Sequence, residues 1–372
     1  MNRLRVLVVE DSTTIRKRLV EVLEEDSQFE VVAEAADGQQ AIERCLALRP
    51  DVVTMDMMLP GVTGLGATEY IMAHCPTPIL VVSASFNRGE VFTTYDALAA
   101  GAVDVIEKPN GGEAPGVWES EFRRALRIVA RVRVITHLRA RLNGATKDSP
   151  RAAPSARSSL PSRGAASSSP LPEAWVGRPR SVLAIGASTG GPSALVQVLG
   201  ALPHDLASPT LVVLHIGGAF APAFADWLGA QLPRPVAYAQ GGESLAALRG
   251  RVVLAPPEHH LVVRAGRIAL NDGPERHSCR PSVDVLFESV AGEYGADAAG
   301  CLLTGMGRDG ATGLLALRRA GAATVAQDEA TSVIYGMPRE AALIGAAERI
   351  LPLGEIGAAL GSLVRGTRCG MP

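Results

Sequence analysis

Two hydrophobic patterns alternate along the chain. Short runs that are apolar at nearly every position, Leu4–Val9, Phe29–Ala33, Val52–Met55, Ile79–Val82 and Val103–Ile106, read as strands buried on both faces. Amphipathic segments separate them. The first sets Ile15, Leu19, Val22 and Leu23 at i, i+4, i+7 and i+8, one face of a helix. Asp37-Gly38 and Gly101 punctuate the connections. Five strands alternating with five helices predict a parallel sheet covered on both faces. The last of these helices is expected to run from roughly Val117 to Leu142.

From Gly144 to Pro179 the chain turns to Ser, Pro, Ala and Arg, with Leu160 the only large aliphatic residue before Leu171. Such a segment buries too little apolar surface to offset the entropy of ordering it, and reads as a flexible linker. Beyond it, Val182–Ile185, Thr210–Leu214 and Ala299–Leu303 are expected as buried strands. Val252–Leu254, Leu261–Arg264 and Arg267–Leu270 read differently, because Ala265-Gly266 separates two short strands as a hairpin turn would. The expected fold class is therefore α/β, with two doubly wound parallel-sheet domains, the second carrying an antiparallel hairpin insertion. The expected bounds are 1–125, a connecting helix and linker over 126–180, and 181–368.

Composition agrees with this division. At 372 residues the chain exceeds the size at which one hydrophobic core stops growing. With 47% hydrophobic and 20% charged residues it can bury sizeable cores. A net charge of −2 supplies no basic footprint for nucleic acid. The five cysteines are odd in number, widely spaced and without a Cys-x-x-Cys pair, which argues against a disulfide framework or a zinc site and for a reducing cytoplasm. The apolar stretch Ala341 to Val364 is broken by Glu348, Arg349 and Glu355, so no membrane insertion is expected.

Candidate chemistry gathers at the carboxyl ends of the expected strands, where open parallel sheets bind ligands. Glu10 and Asp11 follow the first strand, Asp56 the third, Ser83 the fourth and Lys108 the fifth. Converging carboxylates suit Mg²⁺, and one of them could take a phosphoryl group. Lys108 offers a positive charge to phosphoryl oxygens and Ser83 a hydroxyl donor. The segments Val-Val-Glu-Asp-Ser, Thr-Met-Asp-Met-Met-Leu-Pro-Gly and Val-Ile-Glu-Lys-Pro resemble the response-regulator receiver family over about residues 1 to 125. That resemblance implies Asp56 as phosphoacceptor, Asp11 and Asp56 as Mg²⁺ ligands with Glu10 nearby, the Met58 carbonyl on the metal, and Ser83 with Lys108 as the switch pair. Val105 stands where many receivers carry an aromatic switch residue.

In the second half, the strand Val182–Ile185 enters Gly186-Ala187-Ser188-Thr189-Gly190-Gly191-Pro192 and then an apolar helical segment. Taken alone, this turn either cradles phosphate or exposes Ser188 as a nucleophile; it lacks the Gly-x-Gly-x-x-Gly spacing and a Walker lysine. A serine nucleophile needs a base and an orienting carboxylate. His215 directly follows Thr210–Leu214, and Asp309 follows the strand ending near Leu303, so both reach the Ser188 edge. His259 and His260 start a hairpin strand and His277 sits in a polar loop, which makes them weaker candidates.

The turn, together with Arg280-Pro-Ser-Val-Asp-Val-Leu-Phe287, Leu303-Thr-Gly-Met-Gly-Arg-Asp-Gly310, Ala326-Gln-Asp-Glu-Ala-Thr-Ser332 and Tyr335-Gly-Met-Pro-Arg339, resembles the chemotaxis protein-glutamate methylesterase family over about 180 to 365. The resemblance implies Ser188 as nucleophile, His215 as general base and Asp309 as its carboxylate, with N–H groups near Thr189 and Met306 as oxyanion-hole candidates. It further implies hydrolysis of glutamate γ-methyl esters on the cytoplasmic helices of chemoreceptors, with a histidine kinase as phosphodonor. Mg²⁺ would serve the receiver only, with no cofactor for ester chemistry. Some members also deamidate glutamine. Leu214-His215-Ile216-Gly217 departs from the Gln-His-Met-Pro of many members. A paralogous esterase for another receptor pathway and an idle regulatory binding module are the competing expectations.

Overall fold

In the computed structural model, residues 3–84, 88–109, 114, 116–132, 134 and 179–366 are described. The first sheet has five parallel strands, β1 (Leu4–Val9), β2 (Phe29–Ala35), β3 (Val52–Met55), β4 (Ile79–Ser83) and β5 (Asp104–Glu107), in the order β2-β1-β3-β4-β5. That order is the flavodoxin-like doubly wound arrangement. Helices α1 (Thr13–Glu24), α2 (Gly38–Leu48), α3 (Gly64–His74), α4 (Arg88–Ala99) and α5 (Val117–Val129) connect and follow the strands. Sequence chemistry sets their starts: the side chains of Ser12, Asp37 and Thr63 accept N–H bonds from the first turns of α1, α2 and α3.

Helix α5 is shorter than its sequence suggests. Its buried stripe of Trp118, Phe122, Leu126 and Val129 ends the packing face, and Arg131 and Val132 close the last turn with bonds to Ile128 and Val129. The following Val132 and Val134 are β-branched and disfavour continuation. Residues 135 to 142 of that expected helix, and the linker to residue 178, lie outside the described residues.

The second sheet has seven parallel strands in the order β14-β13-β12-β6-β7-β9-β8. These are β6 (Val182–Ala187), β7 (Thr210–Leu214), β8 (Val236–Tyr238), β9 (Val252–Leu254), β12 (Ala298–Leu302), β13 (Ala323–Gln327) and β14 (Arg349–Leu351). The antiparallel insertion is the hairpin β10 (His260–Arg264) and β11 (Arg267–Asn271), turning at Ala265-Gly266, both with positive φ. Val252–Leu254 does not belong to that insertion: it pairs in parallel with both β7 and β8, because its three side chains are buried as an interior strand requires. Helices α6 (Gly191–Gly200), α7 (Ala221–Gln231), α8 (Val283–Tyr294), α9 (Ala311–Arg319), α10 (Met337–Leu343) and α11 (Leu353–Arg365) accompany the sheet. Among the described residues no helix is long and apolar enough to cross a membrane.

The two sheets meet through α4, which packs on α6 and α7. Tyr95 lies 5.2 Å from the Phe224 ring and 5.1 Å from that of Trp227, and its hydroxyl donates to the Phe220 carbonyl at 2.7 Å. Trp227 Nε1 donates to Asp96 at 2.8 Å. Burying three aromatic rings and satisfying both polar tips makes this a specific seam.

Candidate functional site

Parallel register brings the reacting groups of the second sheet together. Ala187 pairs with Leu214 across β6 and β7, so the next residues, Ser188 and His215, stand side by side where the strands end. The His215 amide donates to the Ala187 carbonyl at 3.0 Å and the Ser188 amide to Thr304 at 3.0 Å, which ties three strand ends into one platform. Asp309 reaches it from the loop after β12.

Asp309 is buried and fully engaged. It accepts from His215 Nε2 at 3.0 Å, Ser282 Oγ at 2.7 Å, and the Val283 and Asp284 amides at 2.7 and 3.1 Å. The last three donors form the N-terminus of α8, whose dipole favours a carboxylate there. Against the burial that would raise it, the bonds from His215, Ser282 and Val283 hold its carboxyl below the usual range. His215 responds in reverse. Burial acts to lower its pKa, but Asp309 and the neighbouring Cys279 outweigh it and push the imidazole up to about 9. Because Nε2 is taken by Asp309, Nδ1 is the ring's free acceptor, and it faces Cys279 Sγ at 3.8 Å.

A cavity of about 340 Å³ opens over Ser188, Thr189 and His215, and Cys279 also lines it. The first half of the chain lines it as well, through Leu98 of α4, Val103, and Asp104 and Val105 of β5. Thr189 Oγ1 donates to Asp104 Oδ2 at 3.2 Å across the seam, and burial raises the Asp104 carboxyl to about 6. The backbone N–H groups of Thr189 and Met306 make no hydrogen bond among the described residues. Gly305 allows this closeness, since a Cβ there would sit 2.7 Å from Ser188 Cβ and against the Met337 sulfur. Gly305→Ala is expected to cost about 1–3 kcal/mol by overpacking. It should also lower ester hydrolysis more than tenfold by displacing the Ser188 turn, as thermal unfolding and methanol release would measure.

The three competing histidines of this half have partners of their own. His259 is paired with Asp272, His260 lies between the Ser282 amide and the Pro274 carbonyl, and His277 contacts Asp284 at 3.2 Å. Sequence reasoning missed Ser282, Asp284, His260 and Cys279 as neighbours of the site. Only Ser282 carries a local signal, as a helix N-cap before Val-Asp-Val-Leu-Phe.

The first sheet gathers Glu10, Asp11 and Asp56, whose ligand atoms lie within 4.8 Å of one another. Lys108 Nζ stands 2.9 Å from Asp56 Oδ1 and 3.0 Å from Glu10 Oε2. Burial, then the Asp56 charge, raises Glu10 to about 7. Asp56 Oδ2 is buried without a hydrogen-bond partner and Glu10 Oε2 meets only the Lys108 ammonium, which fits a cation with oxygen ligands such as Mg²⁺. Met58 is half exposed and its amide donates to Asp56 Oδ1 at 3.3 Å. Ser83 is engaged with α4: it donates to Glu90 at 3.0 Å and accepts from Thr94 at 2.9 Å.

Comparison with known proteins covers both halves of the chain. The family model of the CheB methylesterase matches residues 183–360, and that of the response regulator receiver domain residues 6–114. The protein-glutamate methylesterase/protein-glutamine glutaminase 2 of Anaeromyxobacter dehalogenans is 42% identical over 362 residues, 97% of each chain. The protein-glutamate methylesterase/protein-glutamine glutaminase of Nitrosospira multiformis is 42% identical over 364 residues, also 97% of each chain. A crystal structure of the Thermotoga maritima CheB methylesterase catalytic domain aligns with 50% of this chain and 99% of that one, at 31% identity and a TM-score of 0.47. With near-complete coverage at this identity, the chain belongs to the CheB methylesterase family and carries that family's receiver domain ahead of the esterase.

Proposed function

We propose that this chain hydrolyses glutamate γ-methyl esters on the cytoplasmic helices of methylated chemoreceptors, and that phosphorylation of its receiver controls access to the esterase site. The observation that carries this reading is the His215–Asp309 pair beside Ser188 in a shared cavity. His215 Nδ1 takes the Ser188 proton as Oγ attacks the ester carbonyl. The Thr189 and Met306 amides receive the developing oxyanion. The proton then passes from Nδ1 to the departing methoxide, and methanol leaves. Water repeats the cycle on the acyl-serine and restores the carboxylate. A glutamine side chain follows the same path with ammonia as leaving group, which makes deamidation a second activity of the same groups. None of these steps calls on a cofactor.

In the receiver, Asp56 is the proposed phosphoacceptor, with phosphoryl supplied by a histidine kinase in the cytoplasm. Asp11, Asp56 and the nearby Glu10 would hold Mg²⁺, as would the Met58 carbonyl; the ion supplies charge neutralisation for phosphoryl transfer. Lys108 is placed to meet the phosphoryl oxygens, and Ser83 would leave Glu90 and Thr94 to join it. The proposed division is a receiver over 1–125, a connecting segment over 126–180 and the esterase over 181–368.

The seam at Tyr95 and Trp227 supports a closed resting state, since the receiver wall stands over the cavity that a receptor helix must enter. Tyr95→Ala in the full chain is expected to raise basal methanol release roughly tenfold, which needs only about 1.4 kcal/mol of seam stability. Asp56→Asn should keep the basal rate and lose the response to phosphodonor. A Tyr95→Ala rate equal to that of the parent chain would contradict closure by this seam.

A further inference from the structure

We propose that His215 and Cys279 form an inhibitory site for a thiophilic divalent cation, Zn²⁺ being the probe of choice. Nδ1 is the ring nitrogen left to an outside partner because Nε2 is committed to Asp309, and Cys279 Sγ lies 3.8 Å from it on the same cavity wall. A tetrahedral zinc with bonds of about 2.3 Å to sulfur and about 2.0 Å to nitrogen separates its ligands by roughly 3.5 Å. A shift of a few tenths of an ångström therefore closes the pair on one ion.

The surrounding groups match a metal-bound imidazole. Asp309 already holds the opposite ring nitrogen, the carboxylate–histidine arrangement that fixes the tautomer and strengthens a histidine ligand. His215, Cys279 and Asp309 offer ligand atoms within 4.8 Å of one another. Asp309 is committed to α8 and His215, so it acts from outside the coordination shell and the cavity supplies water for the open positions. On binding, the Zn–S and Zn–N bonds form, the Cys279 S–H bond and, in the charged imidazole, the His215 Nδ1–H bond break, and both protons pass to solvent. The thiolate selects Zn²⁺ over Mg²⁺, which keeps the site distinct from the all-oxygen cluster of Glu10, Asp11 and Asp56. A metal on Nδ1 occupies the atom that takes the Ser188 proton, so it stops ester hydrolysis.

The inhibition arm rests on the esterase reading; the binding arm does not. Binding is followed with Co²⁺ added to the reduced, full-length chain, where a thiolate ligand produces sulfur-to-cobalt absorption in the near ultraviolet. The band is expected in the parent chain and in Asp56→Asn, and should be lost in Cys279→Ser and His215→Gln, whose folding is checked by thermal unfolding. Inhibition is followed as methanol release against Zn²⁺, each variant relative to its own zinc-free rate. Cys279→Ser should raise the half-inhibiting concentration at least about tenfold. No band in the parent chain, a band that survives Cys279→Ser, or equal zinc sensitivity of the two chains would overturn the proposal. A parent chain that shows the band but releases no methanol would refute the esterase reading and leave the metal site standing.

Discussion

Ser188→Ala is expected to reduce methanol release by roughly 10⁴- to 10⁶-fold, the loss seen when serine hydrolases are deprived of a triad member. The residue is partly buried just after β6, and its amide bond to Thr304 is a backbone contact that alanine keeps. Stability should therefore change by less than about 0.5 kcal/mol, as for substitutions that remove no buried contact. Loss of rate without loss of fold separates a nucleophile from a structural serine. His215, Asp309 and the two free amides would remain in place, but a carboxylate–histidine pair without a hydroxyl to activate forms no acyl-enzyme. Activity within about tenfold of the parent chain would remove Ser188 from the mechanism.

Asp309→Asn should cost about 10⁴-fold in rate and also move the pH profile. In the resting chain the imidazole titrates near 9, so below that pH the base is largely protonated and the rate should fall about tenfold per pH unit. Asp309 is one of the two groups that raise it, by stabilising the imidazolium. Removing its charge should therefore shift the acid limb to lower pH even as the plateau collapses. A pH–rate comparison of the two chains checks this sign: a limb that stays in place, or moves upward, would contradict the role given to Asp309. Asparagine also loses a charge from the N-terminus of α8 while keeping one oxygen for Ser282 and the amides, so a modest loss of stability is expected as well.

Much of this was legible because buried parallel strands are continuous apolar runs. The apolar runs predict β1 and β3 with their observed limits, and the ends of β6, β7 and β12 mark where Ser188, His215 and Asp309 follow in the chain. What escaped depends on partners distant in sequence. β8 and β14 are three-residue edge strands that exist by pairing with a neighbour, and β13, Ala-Thr-Val-Ala-Gln, has little aliphatic bulk. The sequence groups β9 with the hairpin because its neighbours in sequence form one, while its neighbours in space are β7 and β8. Cys279 reaches His215 across 64 residues, and no local pattern announces that contact. The seam is equally hidden: Val91, Tyr95 and Leu98 of α4 have the spacing of an ordinary core face, although Tyr95 is covered by Phe224 and Trp227 of α7.

The central claim, a receptor methylesterase gated by its own receiver, is tested most directly by release of labelled methanol from receptor membranes carrying labelled methyl esters. The full-length chain is assayed before and after addition of a phosphodonor with Mg²⁺. The account predicts slow release at first and a severalfold rise on phosphorylation, absent from the Asp56→Asn chain. Methanol at the level of membranes alone, with and without phosphodonor, would contradict it.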